Sequence, residues 1–118
     1  MNSPTPLPTA WLVSNGRVLA SANVANTPRA RRRGLIGQRS VTTPLVLDNC
    51  RWIHTIGVKC FLDIAYLNAE GSVIKMQRLA PLRVPLPVTK SRLVVEASAG
   101  SFERWGLQLG DVIELRYT

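Results

Sequence analysis

The sequence predicts a mainly β (α+β) fold: a small, mostly antiparallel β-barrel or sandwich of about seven strands with two short helices. Three observations carry this expectation. Short apolar runs recur with turn signals between them. Several runs alternate with a period of two, as half-buried strands do. No βαβ rhythm and no internal repeat organises the chain. A length of 118 residues suits a single domain over 1–118. Pro4, Pro6 and Pro8 make residues 1–10 an extended N-terminal arm.

The elements follow in order. "WLVSNGRVLASA" (11–22) reads as a hairpin, because Asn15 and Gly16 both tolerate the positive φ of a type I′ turn. "TPRARRRGLIGQ" (27–38) reads as a short helix. Thr27 is its N-cap, Pro28 occupies the first helical position and Gly37 closes the end. Gly34 inside it costs about 1 kcal/mol relative to Ala, so the helix depends on packing through Leu35 and Ile36. "PLVLD" (44–48) and "RWIHTI" (51–56) are strand-like. "FLDIAYL" (61–67) is a stronger strand, with Leu62, Ile64 and Tyr66 on one face and Asp63, Ala65 and Leu67 on the other. "NAEG" (68–71) turns the chain into "SVIKMQRL" (72–79), a second hairpin. Pro81, Pro85 and Pro87 exclude a central strand from 80–91. "RLVVEA" (92–97) is a strand, "SAGSFERWG" (98–106) allows one or two helical turns ending at Gly106, and "GDVIELRYT" (110–118) is the last strand.

Charge is distributed unevenly. The net charge is +8, and residues 1–60 hold eight basic groups against one acid, Asp48. The excess gathers at Arg29, Arg31, Arg32, Arg33 and Arg39. Such a patch attracts anions, whether nucleic acid, phosphorylated ligands or acidic lipid, and the plainer reading is a solvated helix face. On a helix Arg31, Arg32 and Arg33 lie ~100° apart, so at most one or two face a single ligand. No apolar run approaches the ~18–20 residues of a membrane span. The N-terminus lacks a basic n-region and an apolar h-region, which makes a cytoplasmic location the default expectation. Two cysteines are too few for a disulfide framework, and free thiols are expected.

The succession "RGLIGQ" (33–38), "C…IHTIGVKCFLDIAYLNAEGSVI" (50–74), a Pro-containing loop, "VVEASAG" (94–100) and "GLQLGDVIEL" (106–115) resembles domain-of-unknown-function family 192, small prokaryotic proteins without an established activity. The likeness covers about 27–115. Members often carry Met and an aromatic where this chain has Gly57-Val58, and many begin with a leader peptide. The resemblance implies a compact β-rich, barrel-like domain and no particular reaction.

The candidate site centres on His54, the only histidine. Imidazole serves as acid, base or ligand near neutral pH. A hairpin through "TIGVKC" would bring Asp63 beside it, as an orienting carboxylate. The structural alternative is a buried His whose partner, Asp63 or Thr55, serves stability only. Cys50 as a nucleophile needs a turn at 49–53, because four extended residues would hold it ~13 Å from His54. Two cysteines and one histidine, widely spaced, do not make a zinc site, so no metal and no cofactor is expected. Glu96 and Glu103 are read as ion-pair partners of Arg33 or Arg104. Trp11, Trp52 and Trp105 could stack bases but fall in different elements.

The leading expectation is a domain that binds a small anionic ligand through His54, Thr55, Asp63, Arg32 and Arg33. A hydrolase-like enzyme using His54 with Asp63 or Cys50 is the first alternative. A nucleic-acid or anionic-surface module acting through Arg29–Arg39 is the second.

Overall fold

The computed structural model describes residues 6–118, so the first half of the expected arm lies outside the described residues. Pro6 to Pro8 lead into β1 (Thr9–Ser14). Asn15 and Gly16 both take positive φ, 53° and 73°, and return the chain as β2 (Arg17–Ala25). That is the geometry a two-residue I′ turn needs. Next come α1 (Pro28–Arg33), β3 (Leu45–Asp48), β4 (Leu62–Leu67), β5 (Val73–Leu79), β6 (Leu93–Ser98), α2 (Ser101–Trp105) and β7 (Glu114–Tyr117).

All seven strands join one sheet in the order β5-β4-β6-β3-β2-β1-β7. The sheet stays open rather than closing into a barrel. A single bridge, Ser72 to Val112, ties the start of β5 to the chain just before β7. Pairing is antiparallel except for β2 with β3. A parallel pair needs a crossover, and residues 26–44 supply it with α1 inside. Nothing in the strand alternation marks this one crossover, which lays α1 over the sheet.

Two buried layers form, one on each face. Ala65, Leu67, Val95, Ala97 and Val46 pack with Phe102, Leu107 and Ile113 on the α2 side. Leu62, Ile64, Tyr66, Val94, Leu45 and Leu47 pack with Leu35, Cys50, Ile53 and Val58 on the α1 side. The period of two therefore holds in β4, but both of its faces are buried, because it lies between β5 and β6 and under both layers. Among the described residues no helix is long and apolar enough to cross a membrane.

Two expectations need correction. Residues 51–56 form no strand. The Thr55 N–H donates to the Arg83 carbonyl, and the Thr55 carbonyl accepts from the Leu82 N–H. Those bonds knit the segment to the proline-rich loop, whose irregular backbone cannot extend a ladder. The first helix also ends earlier than Gly37. Thr27 caps it as expected, its hydroxyl accepting from the Ala30 N–H at 3.1 Å. Gly34 then leaves the helix at φ 47°, ψ −129°, a conformation that a side chain disfavours. The break at Gly34 turns Leu35 into the core, where it is buried.

Candidate functional site

The break at Gly34 opens a cleft of about 610 Å³ over the α1 face of the sheet. One wall is the end of α1 with Arg31, Arg32, Arg33 and the turn to Ile36. The other is the loop from Asn49 to His54, closed by Val58. The floor is sheet: Leu47 from β3 and Glu96 from β6. The two walls are laced together below, where the Gly37 N–H donates to the Gly57 carbonyl at 2.7 Å and the Lys59 N–H to the Gln38 carbonyl at 3.1 Å.

His54 is half-buried on the cleft wall. Its Nδ1 accepts from the Ile56 N–H at 3.2 Å. In the neutral ring that bond selects the Nε2–H tautomer and leaves Nε2–H as the available donor. The Trp52 ring lies tilted against it, centroids 5.5 Å apart. The indole N–H of Trp52 donates to the Pro85 carbonyl at 2.8 Å and steadies this wall. Arg32 and Arg33 are exposed at the rim and Arg31 is half-buried.

The remaining two expected site residues lie elsewhere. Thr55 is fully buried beneath the loop. Its hydroxyl donates to the Ala80 carbonyl and accepts from the Arg83 N–H, both at 2.8 Å. Asp63 does not meet His54, since its position in β4 shares a face with Ala65 and Leu67, on the α2 side. There Oδ1 accepts from Arg78 Nε at 2.9 Å, across the β4–β5 pair. Oδ2 accepts from the N–H groups of Gly100 and Phe102 at the start of α2. The carboxylate thus caps a short helix that has no side-chain cap of its own.

Cys50 lies in the cleft wall, buried, with its thiol donating to the Trp52 carbonyl at 3.2 Å. Burial pushes this thiol up, partly offset by the Trp52 hydrogen bond and reinforced by the nearby Glu96. A nucleophilic cysteine needs the opposite shift. Among the described residues no group of three or more His, Cys, Asp and Glu could hold a metal ion.

Glu96 is the residue that sequence reasoning assigned to an ion pair and the cleft claims instead. The ion pairs among the described residues are Arg78 with Asp63, Arg78 with Glu103, and Arg116 with Glu114; none involves Arg33 or Glu96. Glu96 is only 4% exposed. Its strand neighbours are Leu45 on β3 and Ile64 on β4. A Cβ on Gly34 would sit 3.9 Å from its Oε1, so the carboxylate lies beside the helix break. Burial alone pushes it up to about 7. The signal in the sequence was one acid in the apolar run "RLVVEA" (92–97), on the same face as Val94.

Comparison with known proteins agrees with this fold. A crystal structure of a protein from Sinorhizobium meliloti 1021, named as a candidate transcription regulator, matches with a TM-score of 0.83 at 18% identity, over 96% of this chain and 98% of that one. A second, of a protein of unknown function from Novosphingobium aromaticivorans DSM 12444, matches with a TM-score of 0.72 at 17% identity, over 92% and 84% of the two chains. At such identities the likeness concerns the fold alone. No curated protein matches the chain. The profile of the family DUF192, described as uncharacterized ACR, matches residues 10–115, which takes in the Arg33-Gly34-Leu35 break, the cleft wall through His54 and the strand that carries Glu96. The chain belongs to the DUF192 family.

Proposed function

We infer that this protein binds a small anionic organic ligand in the cleft between α1 and the 49–54 loop. The observation that supports it best is the lining itself. Cationic arginine groups crowd the rim of a cavity large enough for a metabolite, above apolar walls of Leu35, Ile53 and Val58 and a floor that includes Leu47. An anion would meet Arg32 and Arg33 at the rim and the Nε2–H of His54 on the wall. Free Cys50 and Cys60 fit a reducing compartment.

Calorimetric titration with small carboxylates and phosphate monoesters tests this. Binding should weaken at least about tenfold in an Arg32→Ala/Arg33→Ala variant and again in His54→Ala, and should weaken with added salt. Failure of every such anion to bind at millimolar concentration, or affinity unchanged in the arginine variant, defeats the reading.

One observation favours a second reading. Trp52 is exposed on the wall across the cleft from those arginines, an arrangement suited to stacking on a nucleobase. A mobility-shift assay at low salt separates the two, since retention of DNA or RNA that Trp52→Ala abolishes would support this second function. For the hydrolase-like alternative, Asp63 is engaged on the other face and Cys50 is held as a thiol. His54 with Glu96 is the pair that would remain.

A further inference from the structure

Glu96 has no structural employment among the described residues. No hydrogen bond or ion pair reaches its carboxylate, and burial is the only influence on its titration. Its neighbours on both flanking strands are aliphatic, so a leucine would pack there. Its oxygens are not among the buried polar atoms without a partner and so open on the cleft, where a ligand rather than the chain itself can pair with them.

The groups that share the cleft with it come from three elements. Arg31, Arg32 and Arg33 line it from α1 and its end, and Cys50, Arg51 and His54 from the opposite wall. Tyr66 comes from β4; burial first, then Cys50 and Glu96 nearby, push its hydroxyl up. None of them is bonded to Glu96. The Tyr66 hydroxyl is committed to Gln77 Oε1 at 2.9 Å, and the Cys50 thiol to the Trp52 carbonyl.

Resting on the anion-cleft reading above, we propose that Glu96 is the specificity-determining floor of the cleft, taking a hydroxyl of an organic acid whose anionic group is held by Arg32 and Arg33. The chemistry of each depth selects the parts of that ligand. The rim takes the anion. The aliphatic walls take a hydrocarbon or ring spacer. The floor takes a hydroxyl rather than an ammonium, because a hydroxyl both donates and accepts and so suits Glu96 in either protonation state. A cation would also have to pass the arginines. A hydroxyl-free analogue would leave the buried carboxyl unpaired, which is the strongest form of discrimination a pocket has.

The test uses the intact protein and a matched pair of probes, 4-hydroxyphenylacetate and phenylacetate, with inorganic phosphate as a rim-only probe, by calorimetry at pH 6 and pH 8. The hydroxylated acid should bind the wild type about tenfold tighter or more. It should bind several-fold more weakly at pH 8, because an ionised Glu96 repels the anion. Glu96→Leu should bring the two acids within about twofold while retaining phenylacetate. Glu96→Gln should keep the hydroxyl preference and lose the pH slope. Equal wild-type affinities, a preference that survives Glu96→Leu, or a slope that survives Glu96→Gln, overturns the assignment. Binding of phosphate alone overturns it too and leaves the rim reading intact. Binding of none of the three sinks both.

Discussion

Asp63 and Glu96 are buried carboxylates on adjacent strands of one sheet, and their surroundings are opposite. Asp63 lies opposite Ala97 in the β4–β6 pair, and Glu96 lies opposite Ile64, one residue out of phase. That single step sends them to different faces. Asp63 meets a guanidinium and two backbone N–H groups within 3.2 Å. Glu96 meets aliphatic strand neighbours and an open cleft. Burial by itself is therefore no guide to role. A satisfied acid holds two elements together. An acid left unsatisfied by its own chain is available to something else.

The contrast can be broken by mutation. Asp63→Ala should be the most damaging change, at about 3 kcal/mol of unfolding free energy, because it orphans the Gly100 and Phe102 N–H groups and releases Arg78 to solvent. Urea denaturation measures it, and a loss below about 1 kcal/mol would mean that α2 does not depend on this cap.

Glu96 should make stability depend on pH. Its folded-state value, about 7, lies above its ordinary 4.5. Folding then favours the protonated form, so the stabilisation is complete below about pH 4.5 and is lost as pH rises to about 7. The shift corresponds to about 3 kcal/mol. Denaturation at pH 4.5 and pH 8 should show that loss in the wild type and little of it in Glu96→Gln, whose stability at pH 8 should exceed the wild type's. Equal pH profiles would mean that Glu96 is solvated or paired in solution.

Thr55→Val should cost about 2 kcal/mol, since it leaves the Arg83 N–H and the Ala80 carbonyl without their partner. Ligand affinity should be unchanged, provided the loop keeps its path. His54→Ala should be the mildest, within about 0.5 kcal/mol of wild-type stability, because its one hydrogen bond is local and half-exposed. Its effect belongs to binding, and a large stability loss would move His54 to the structural side of the comparison.

Much of the fold was legible in local signals. Asn15-Gly16 specified its hairpin, Thr27-Pro28 its helix start and the alternation in β4 its two faces, because each depends on near neighbours in the chain. The parallel β2–β3 pair was not legible, since nothing local to either strand distinguishes it from an antiparallel one. Residues 51–56 misled for a related reason. Their composition suits a strand, but their backbone partners, Arg83 and Leu82, lie some thirty residues away and are not themselves extended in a ladder.

The site divided along the same line. The residue types that make a polar cleft, His54 and the arginines of α1, could be named from the chain alone, because charge and titration are properties of single residues. The arginine-bearing turn also carries its own instruction, since Gly34 is the residue that can leave the helix at φ 47°. Which acid joins them was decided in three dimensions. The crossover lays α1 over one face of the sheet, and strand parity puts Glu96 on that face and Asp63 on the other. Parity is local, but the identity of the covered face is not: it depends on how elements distant in sequence pack, and no short stretch of residues encodes that.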